Sequence, residues 1–330
     1  MSALALAAFA AETGTHLLAE PRSTRFARFR ASFDEDAYRR RLAAAGLRFV
    51  EPGEAGFPDR LRAIHDPPPG LFVRGAAGLE LLARPCVAIV GARACSAYGS
   101  SVAQSFAREL AAAGVVVVSG LARGVDAAAH RGALDAGVTV AVLGCGVDRD
   151  YPRAHAALAA AIAVQGLIVS EYPPGVEPAP WRFPARNRLV AGLSIATVVV
   201  EARERSGALI TADLALDEGR EVLTVPGEIT SRLSHGTNAL LRLGATPATC
   251  AADVLEAIGV EPVPARPERG HPLDERLAAV LAAVADAPAS IDEVVRSIGA
   301  SPGEVAGALA ELELRGLVNE SDGRYRPAAS

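Results

Sequence analysis

Five stretches of this chain set glycine or another small residue beside arginine. They are Gly91-Ala92-Arg93 with Ser96, Tyr98 and Gly99; Ser119-Gly120-Leu121-Ala122-Arg123-Gly124-Val125-Asp126; and Gly144-Cys145-Gly146-Val147-Asp148 running on to Tyr151-Pro152-Arg153. The other two are Phe183-Pro184-Ala185-Arg186-Asn187-Arg188, after Glu171-Tyr172-Pro173-Pro174-Gly175, and Glu201 followed by Arg203, Arg205 and Ser206-Gly207. Small residues let backbone N–H groups close on an anion at a helix N-terminus, and a guanidinium adds paired donors. Any one stretch alone is also what a tight turn requires. Five of them hold more anion than one mononucleotide carries. They suit a row of phosphates, as in a single-stranded nucleic acid tracked by a basic groove. Tyr98, Tyr151, Tyr172, Trp181 and Phe183 offer base-stacking faces, although packing is the commoner use of each such ring.

Other chemistries fit less well. There is no Gly-x-Gly-x-x-Gly, and the strand after Gly91-Ala92-Arg93 ends in Ser119-Gly120 where a dinucleotide site needs an acid for the ribose. Asp126 and His130 share a helix face at i,i+4 and could join Glu171 or Glu201 as an acid–base set. No third group, nucleophile elbow or metal-ligand spacing accompanies them. Asp126 is therefore read as a cap on its own helix and His130 as a support for the loop. Cys86, Cys95, Cys145 and Cys250 form no Cys-x-x-Cys pair and read as small buried hydrophobes of a reducing compartment. No cofactor is expected.

The elements that must position these residues show as apolar runs: Val87–Val90, Val115–Ser119, Val138–Leu143, Leu167–Ser170, Thr197–Val200 and Val222–Val225. Runs without alternation suit strands buried on both faces of a parallel sheet. Helical stretches such as Ser101–Ala113 and Asp126–Ala136 fill the gaps, so the fold class is α/β, a doubly wound Rossmann-like sheet. In such sheets ligands gather at the carboxyl ends of the strands, where all five stretches fall. Residues 1–56 read as a helical N-terminal segment and 57–85 as a Pro-rich connector leading into a strand, with 86–260 as the Rossmann-like domain. Pro262, Pro264, Pro267 and Gly270 mark a linker over 261–270. Residues 271–330 read as three helices, with Ser290 capping the second and Ser301-Pro302 starting the third, then a hairpin turning at Ser321-Asp322-Gly323: a winged helix.

Charge constrains function further. The chain of 330 residues is half hydrophobic, carries a net charge of −5 and contains no lysine, so every long cationic contact is arginine. Its balance excludes a histone-like, globally basic binder. The deficit lies in residues 271–330, with ten acids against five arginines. Glu304, Glu311 and Glu313 on the third helix, against Arg315, would repel phosphates, which favours a protein-contact or autoregulatory role. Residues 21–50, with eight arginines including Arg22, Arg25, Arg28, Arg30, Arg39, Arg40 and Arg41, read first as a solvated helical face. No run reaches the length of a membrane span, and the N-terminus lacks a basic leader, so a cytoplasmic location is expected.

At these loops the sequence resembles the DNA-processing protein A family (DprA, also called Smf). The shared pattern runs through Phe57-Pro58, Asp66-Pro67-Pro68, Leu71-Phe72, Gly91-Ala92-Arg93, Ser119 to His130, Tyr151-Pro152 and Ser170-Glu171-Tyr172. It continues through Phe183 to Ser194, Glu201-Ala202, Ser206 to Ala212, Val225-Pro226-Gly227 and Gly236-Thr237-Asn238. The resemblance implies a Rossmann-like homodimer without known catalysis that binds single-stranded DNA and loads the RecA recombinase onto it during natural transformation. It also implies a DNA pocket lined by Gly91, Ala92 and Arg93, with Arg153 after the Tyr-Pro pair. The expected DNA-binding set is Gly91, Ala92, Arg93, Ser119, Gly120, Arg123, Gly124, Tyr151, Arg153, Arg186, Asn187, Arg188, Ser206 and Gly207. His155 departs from the Asn often found there, and residues 1–50 show no clear helix–hairpin–helix. The rival is a nucleoside-monophosphate phosphoribohydrolase on a related sheet, which needs a Pro-Gly-Gly-x-Gly-Thr loop and a catalytic Glu. Here that stretch reads Pro226-Gly227-Glu228-Ile229-Thr230 and lacks the second glycine. A purely structural adaptor is the third possibility.

Overall fold

Each apolar run is followed by glycine or a polar turn, which stops the strand and starts a helix. The computed structural model describes residues 2–13, 23–261, 273–285, 287–314, 317–321 and 323–327. Arg22, Pro262, Pro264, Pro267, Gly270, Arg315 and Asp322 therefore lie outside the described residues. The chain divides into two compact units, Met1–Pro262 and Val263–Ser330.

The first unit opens with α1 (Ala3–Thr13), α2 (Thr24–Ser32), α3 (Glu35–Ala44) and β1 (Leu47–Val50), then α4 (Asp59–Arg62) and β2 (Leu71–Arg74). The alternating core follows: β3 (Cys86–Val90), α5 (Ala97–Ala112), β4 (Val116–Ser119), α6 (Val125–Ala136), β5 (Thr139–Val142), α7 (Ala156–Gln165), β6 (Leu167–Ser170), α8 (Arg182–Leu193), β7 (Ala196–Val199), α9 (Gly207–Asp217) and β8 (Glu221–Thr224). It closes with α10 (His235–Arg242), β9 (Thr246–Pro247) and α11 (Ala251–Ala257).

The nine strands form one sheet in the order β1-β2-β6-β5-β4-β3-β7-β8-β9. Pairings from β6 to β9 are parallel, while β2 runs antiparallel to both β1 and β6. The sheet is thus doubly wound and mostly parallel, as expected. It is also wider than expected, because the chain before residue 86 contributes β1 and β2 and the chain after β8 contributes β9. The four-residue Leu47–Val50 is too short to show a period, and only its pairing with β2 makes it a strand.

Burial explains the layering. Cys86, Ala88 and Val90 pack into one apolar cluster with residues of α8 and α9, while Val87 and Ile89 pack into another with residues of α5, α6 and α11. Successive side chains of one strand feed opposite faces, so both faces must be covered. From β3 the chain steps to β4 on one side, and β7 later pairs with β3 on the other. Loops leaving β3 and β7 therefore diverge and open a crevice at their carboxyl ends.

The second unit holds α12 (Glu275–Ala285), α13 (Ile291–Ile298), α14 (Pro302–Leu314) and the antiparallel pair β10 (Val318–Ser321) and β11 (Arg324–Pro327). Ser290 caps α13 in a reciprocal box with Glu293, and Gly299 ends it in the left-handed region. Three helices and a hairpin around Leu277, Val280, Val294, Leu309 and Val318 make a winged helix.

Candidate nucleic-acid interface

The crevice holds a cavity of about 450 Å³ walled by the loops after β3, β4 and β7, by α8 and by the start of α9. A smaller cavity of about 90 Å³ adjoins it toward Tyr151 and shares Arg93, Gly120, Ala122, Phe183 and Arg186. Gly91, Ala92, Arg93, Gly120, Arg186, Asn187, Ser206 and Gly207 line the larger cavity, and Arg123 and Tyr151 join at the smaller. Residues spread over 117 positions of sequence thus meet at one edge of the sheet.

Arg93 and Arg123 are exposed, and neither bonds a carboxylate among the described residues. Arg93 lies over the Phe183 ring, 5.6 Å from its centroid, and Phe183 stacks on Tyr151 at 5.3 Å. The result is a cation and two rings in a row, with Tyr151 still 42% exposed. Tyr172, by contrast, is buried and offers no open face. The α9 N-terminus faces the larger cavity without a side-chain cap, and the Ser206 Oγ there has no hydrogen-bond partner among the described residues.

Four members of the expected set do not line either cavity. Ser119 is buried, and its hydroxyl donates to the Ile89 carbonyl. Gly124 shapes the rim from behind: its φ is +75°, and a Cβ there would lie 2.2 Å from the Ala92 carbonyl oxygen. Arg153 is exposed on the short 3-10 turn after Tyr151-Pro152. Arg188 is held between Glu171 (2.7 and 2.9 Å) and Asp66 (2.8 Å), which raises its pKa against the cost of burial. Thr211, Pro184 and Asp126 line the larger cavity although none was singled out as a binding residue. Thr211 sits one turn after Gly207 on α9, and that i,i+4 spacing was the available signal.

The candidate acid–base residues are already engaged. Glu201 accepts from the Ser96 N–H (2.9 Å) and hydroxyl (2.6 Å), filling the N-terminus of α5 with the protein's own carboxylate. Asp126 does not cap its helix, whose N-cap is Gly124. Its Oδ2 instead accepts from the Gly120 and Ala122 N–H groups at 3.1 and 3.2 Å, tying down the preceding loop. Burial pushes the Asp126 carboxyl up against the pull of Arg186.

Nor does His130 support the loop. Thr139 donates its hydroxyl to the Val117 carbonyl, so the His130 Nδ1–H must donate to Thr139 Oγ1 at 2.7 Å. The ring braces β4 against β5, and burial lowers its pKa to about 3. The loop support comes from His155, whose Nδ1–H donates to the Leu121 carbonyl at 3.0 Å. Arg186, 4% exposed, donates through Nη1 to the Gly120 and Val142 carbonyls. Among the described residues no three His, Cys, Asp or Glu side chains cluster as metal ligands.

A doubly wound α/β sheet whose strand ends carry an arginine-lined, partly aromatic crevice places the protein in the Rossmann-like class. Residues 48–259 match the model of the DNA recombination-mediator protein A family, and residues 264–324 match the DprA winged helix domain. The chain belongs to this family. It is 46% identical over 279 residues to a putative DNA processing protein DprA of Mycobacterium tuberculosis, spanning 82% of this chain and 72% of the relative. Protein Smf of Escherichia coli is 41% identical, covering 82% of this chain and 74% of its own length. The structure of DprA from Streptococcus pneumoniae superposes with a TM-score of 0.66 at 36% identity, covering 77% and 91% of the two chains. A Helicobacter pylori DprA structure, described for its single-stranded DNA binding mode, gives 0.58 at 33%, covering 64% and 95%.

Proposed function

We propose that this protein binds single-stranded DNA along the carboxyl edge of its sheet and hands it to RecA, acting as a non-catalytic homodimer. The observation that carries the reading is the row formed by Arg123, Arg93, Phe183 and Tyr151, two cations without a carboxylate bond among the described residues beside stacked rings at one cavity. Cations without carboxylate partners are available to phosphates, and rings beside them suit unstacked bases. Arg153, exposed on the turn after Pro152, is available to a phosphate further along the strand. Gly91, Ala92, Gly120, Ser206 and Gly207 let the strand approach the backbone, while Arg186 and Asn187 line the floor. Arg188 holds the architecture through Glu171. The single-stranded DNA named for the Helicobacter pylori relative supports the ligand.

The hydrolase reading is less well supported. Glu228 is exposed and lines neither cavity, and Gly227 is tied on both sides by the Asn238 side chain. In the winged helix, Glu304 is taken up by the Ser301 cap and Glu311 lies 3.4 Å from Arg276. Its acidic surface supports a protein contact in preference to a duplex contact.

Fluorescence anisotropy of labelled poly-dT against duplex, across a salt series, tests the reading. We expect a single-strand preference, with Arg93→Ala weakening binding and reducing the salt slope by about one. Equal affinity for duplex, or an indifferent Arg93, overturns it. RecA-dependent ATP hydrolysis on the bound strand tests the hand-over, and light scattering tests the dimer.

A further inference from the structure

The N-terminal helices carry cations that the crevice does not use. Arg25, Arg28 and Arg30 on α2 and Arg40 and Arg41 on α3 are exposed, and none bonds a carboxylate among the described residues. Arg39, in contrast, is shared among Glu35, Glu51 and Glu54. The acids beside them are mostly spent. Asp34 caps α3, and Glu35 holds Arg39 and the Ser2 hydroxyl, which leaves Asp36 as the one exposed, unbonded carboxylate of the two helices among the described residues. Like charges left unneutralised on adjacent helices repel one another, and a polyanion relieves that repulsion.

This surface adjoins the proposed strand site. Helices α1 and α3 pack through Leu4, Ala7 and Leu42 onto Leu121, Cys145 and Tyr172, which follow β4, β5 and β6 at their carboxyl ends. Leu121 stands two residues before Arg123. A further cavity of about 450 Å³ has Glu12, Tyr38 and Arg41 on its helical side and residues 174–177 with Arg182 on the other. Arg182 precedes Phe183, the ring under Arg93, and lies 5.0 Å from the Trp181 ring, which is 46% exposed. Its Nη1 donates to the Glu177 carbonyl, and it bonds no carboxylate among the described residues.

Beyond the cavity the rings continue. Arg41 lies over Tyr38 at 4.9 Å, Tyr38 meets Phe33 at 5.5 Å, and Phe33 meets Phe29 of α2 at 5.3 Å. Two carboxylates face this cavity. Glu177 is paired with Arg149 at 2.9 Å, and Glu12 is exposed near the end of α1.

Resting on the single-strand reading, we infer that the DNA track runs on from Tyr151 and Phe183, past Trp181 and Arg182, to Arg41, Arg40 and the arginines of α2. The N-terminal helices then form a second segment of one single-strand site. Guanidinium groups alternating with exposed rings suit phosphates and unstacked bases in turn. A duplex keeps its bases stacked and offers none to Trp181.

The test titrates full-length protein with labelled (dT)8, (dT)30 and a duplex of the longer length, by anisotropy across a salt series. One single-strand module takes roughly 4–16 nucleotides, so the short strand stays in the crevice and the long one leaves it. The variant Arg28→Ala/Arg40→Ala/Arg41→Ala should bind (dT)8 as wild type does and (dT)30 about tenfold more weakly, with a salt slope lower by roughly 2. The three side chains are exposed, so its melting temperature should match wild type. Replacing the same three by Lys keeps the charge and should restore the slope. Wild-type affinity and slope for (dT)30 in the alanine variant overturn the inference and leave the single-strand reading standing. An equal loss on (dT)8 also overturns it, since the helices would then act through the crevice. A loss on duplex as large as that on (dT)30 reassigns the surface to duplex and overturns it too. An Arg93→Ala protein that binds (dT)8 like wild type overturns the underlying reading instead.

Discussion

Removing Glu171 tests whether Arg188 belongs to the architecture or to the ligand. Glu171 is 4% exposed and pairs with Arg188 through both carboxylate oxygens, at 2.7 and 2.9 Å. The guanidinium is itself largely enclosed, its side chain 13% exposed. Glu171→Gln keeps the volume but leaves a largely buried cation with the exposed Asp66 as its one carboxylate partner among the described residues. Breaking one side of a buried ion pair costs about 3 kcal/mol or more. For a unit of this size that lowers the melting temperature by roughly 6–12 °C.

Asp66 bonds the same guanidinium at 2.8 Å, but its side chain is 47% exposed, so water replaces it. Asp66→Asn should therefore cost under about 1 kcal/mol. Differential scanning calorimetry of both variants, with poly-dT affinity measured beside it, separates the roles. Equal costs would refute the burial argument. A Glu171→Gln protein that melts like wild type yet loses strand affinity would show that Arg188 serves the ligand.

Three further outcomes follow from the geometry. His130 is neutral when folded with a pKa near 3, against 6.5 when exposed, so the unfolded chain binds the extra proton and stability falls as pH drops below 6.5. About 2 kcal/mol should be lost by pH 5, and chemical denaturation of His130→Gln across that range should show a flatter slope. Gly124→Ala forces a Cβ against the Ala92 carbonyl at a φ of +75°. It should cost about 1–3 kcal/mol in urea unfolding and weaken poly-dT binding by shifting Arg93; an unchanged affinity would sever Gly124 from the rim. Ser290→Ala removes the α13 cap and should destabilise the winged helix by about 1 kcal/mol, read by thermal melting, while poly-dT affinity stays as in wild type.

Much of this protein is legible in its residues taken in order. Unbroken apolar runs between glycine-bearing turns dictate a parallel sheet covered on both faces, because only such a sheet buries every side chain of a strand like Cys86–Val90. Ser290, Ser301 and Pro302 place the winged-helix boundaries locally, since caps act on their own helix. The arginine and glycine loops mark a candidate anion site at the strand ends by the same kind of local rule.

What tertiary structure alone decided is which of those side chains remain free. Arg93 and Arg188 look alike in sequence, yet Asp66 and Glu171, 122 and 17 residues away from Arg188, consume one and leave the other open. The roles of Asp126 and His130 were settled the same way, by the Gly120–Ala122 loop and by Thr139. Charge neutralisation and hydrogen-bond saturation act through space over a few ångströms, and spacing along the chain does not measure that distance until the sheet has brought the loops together.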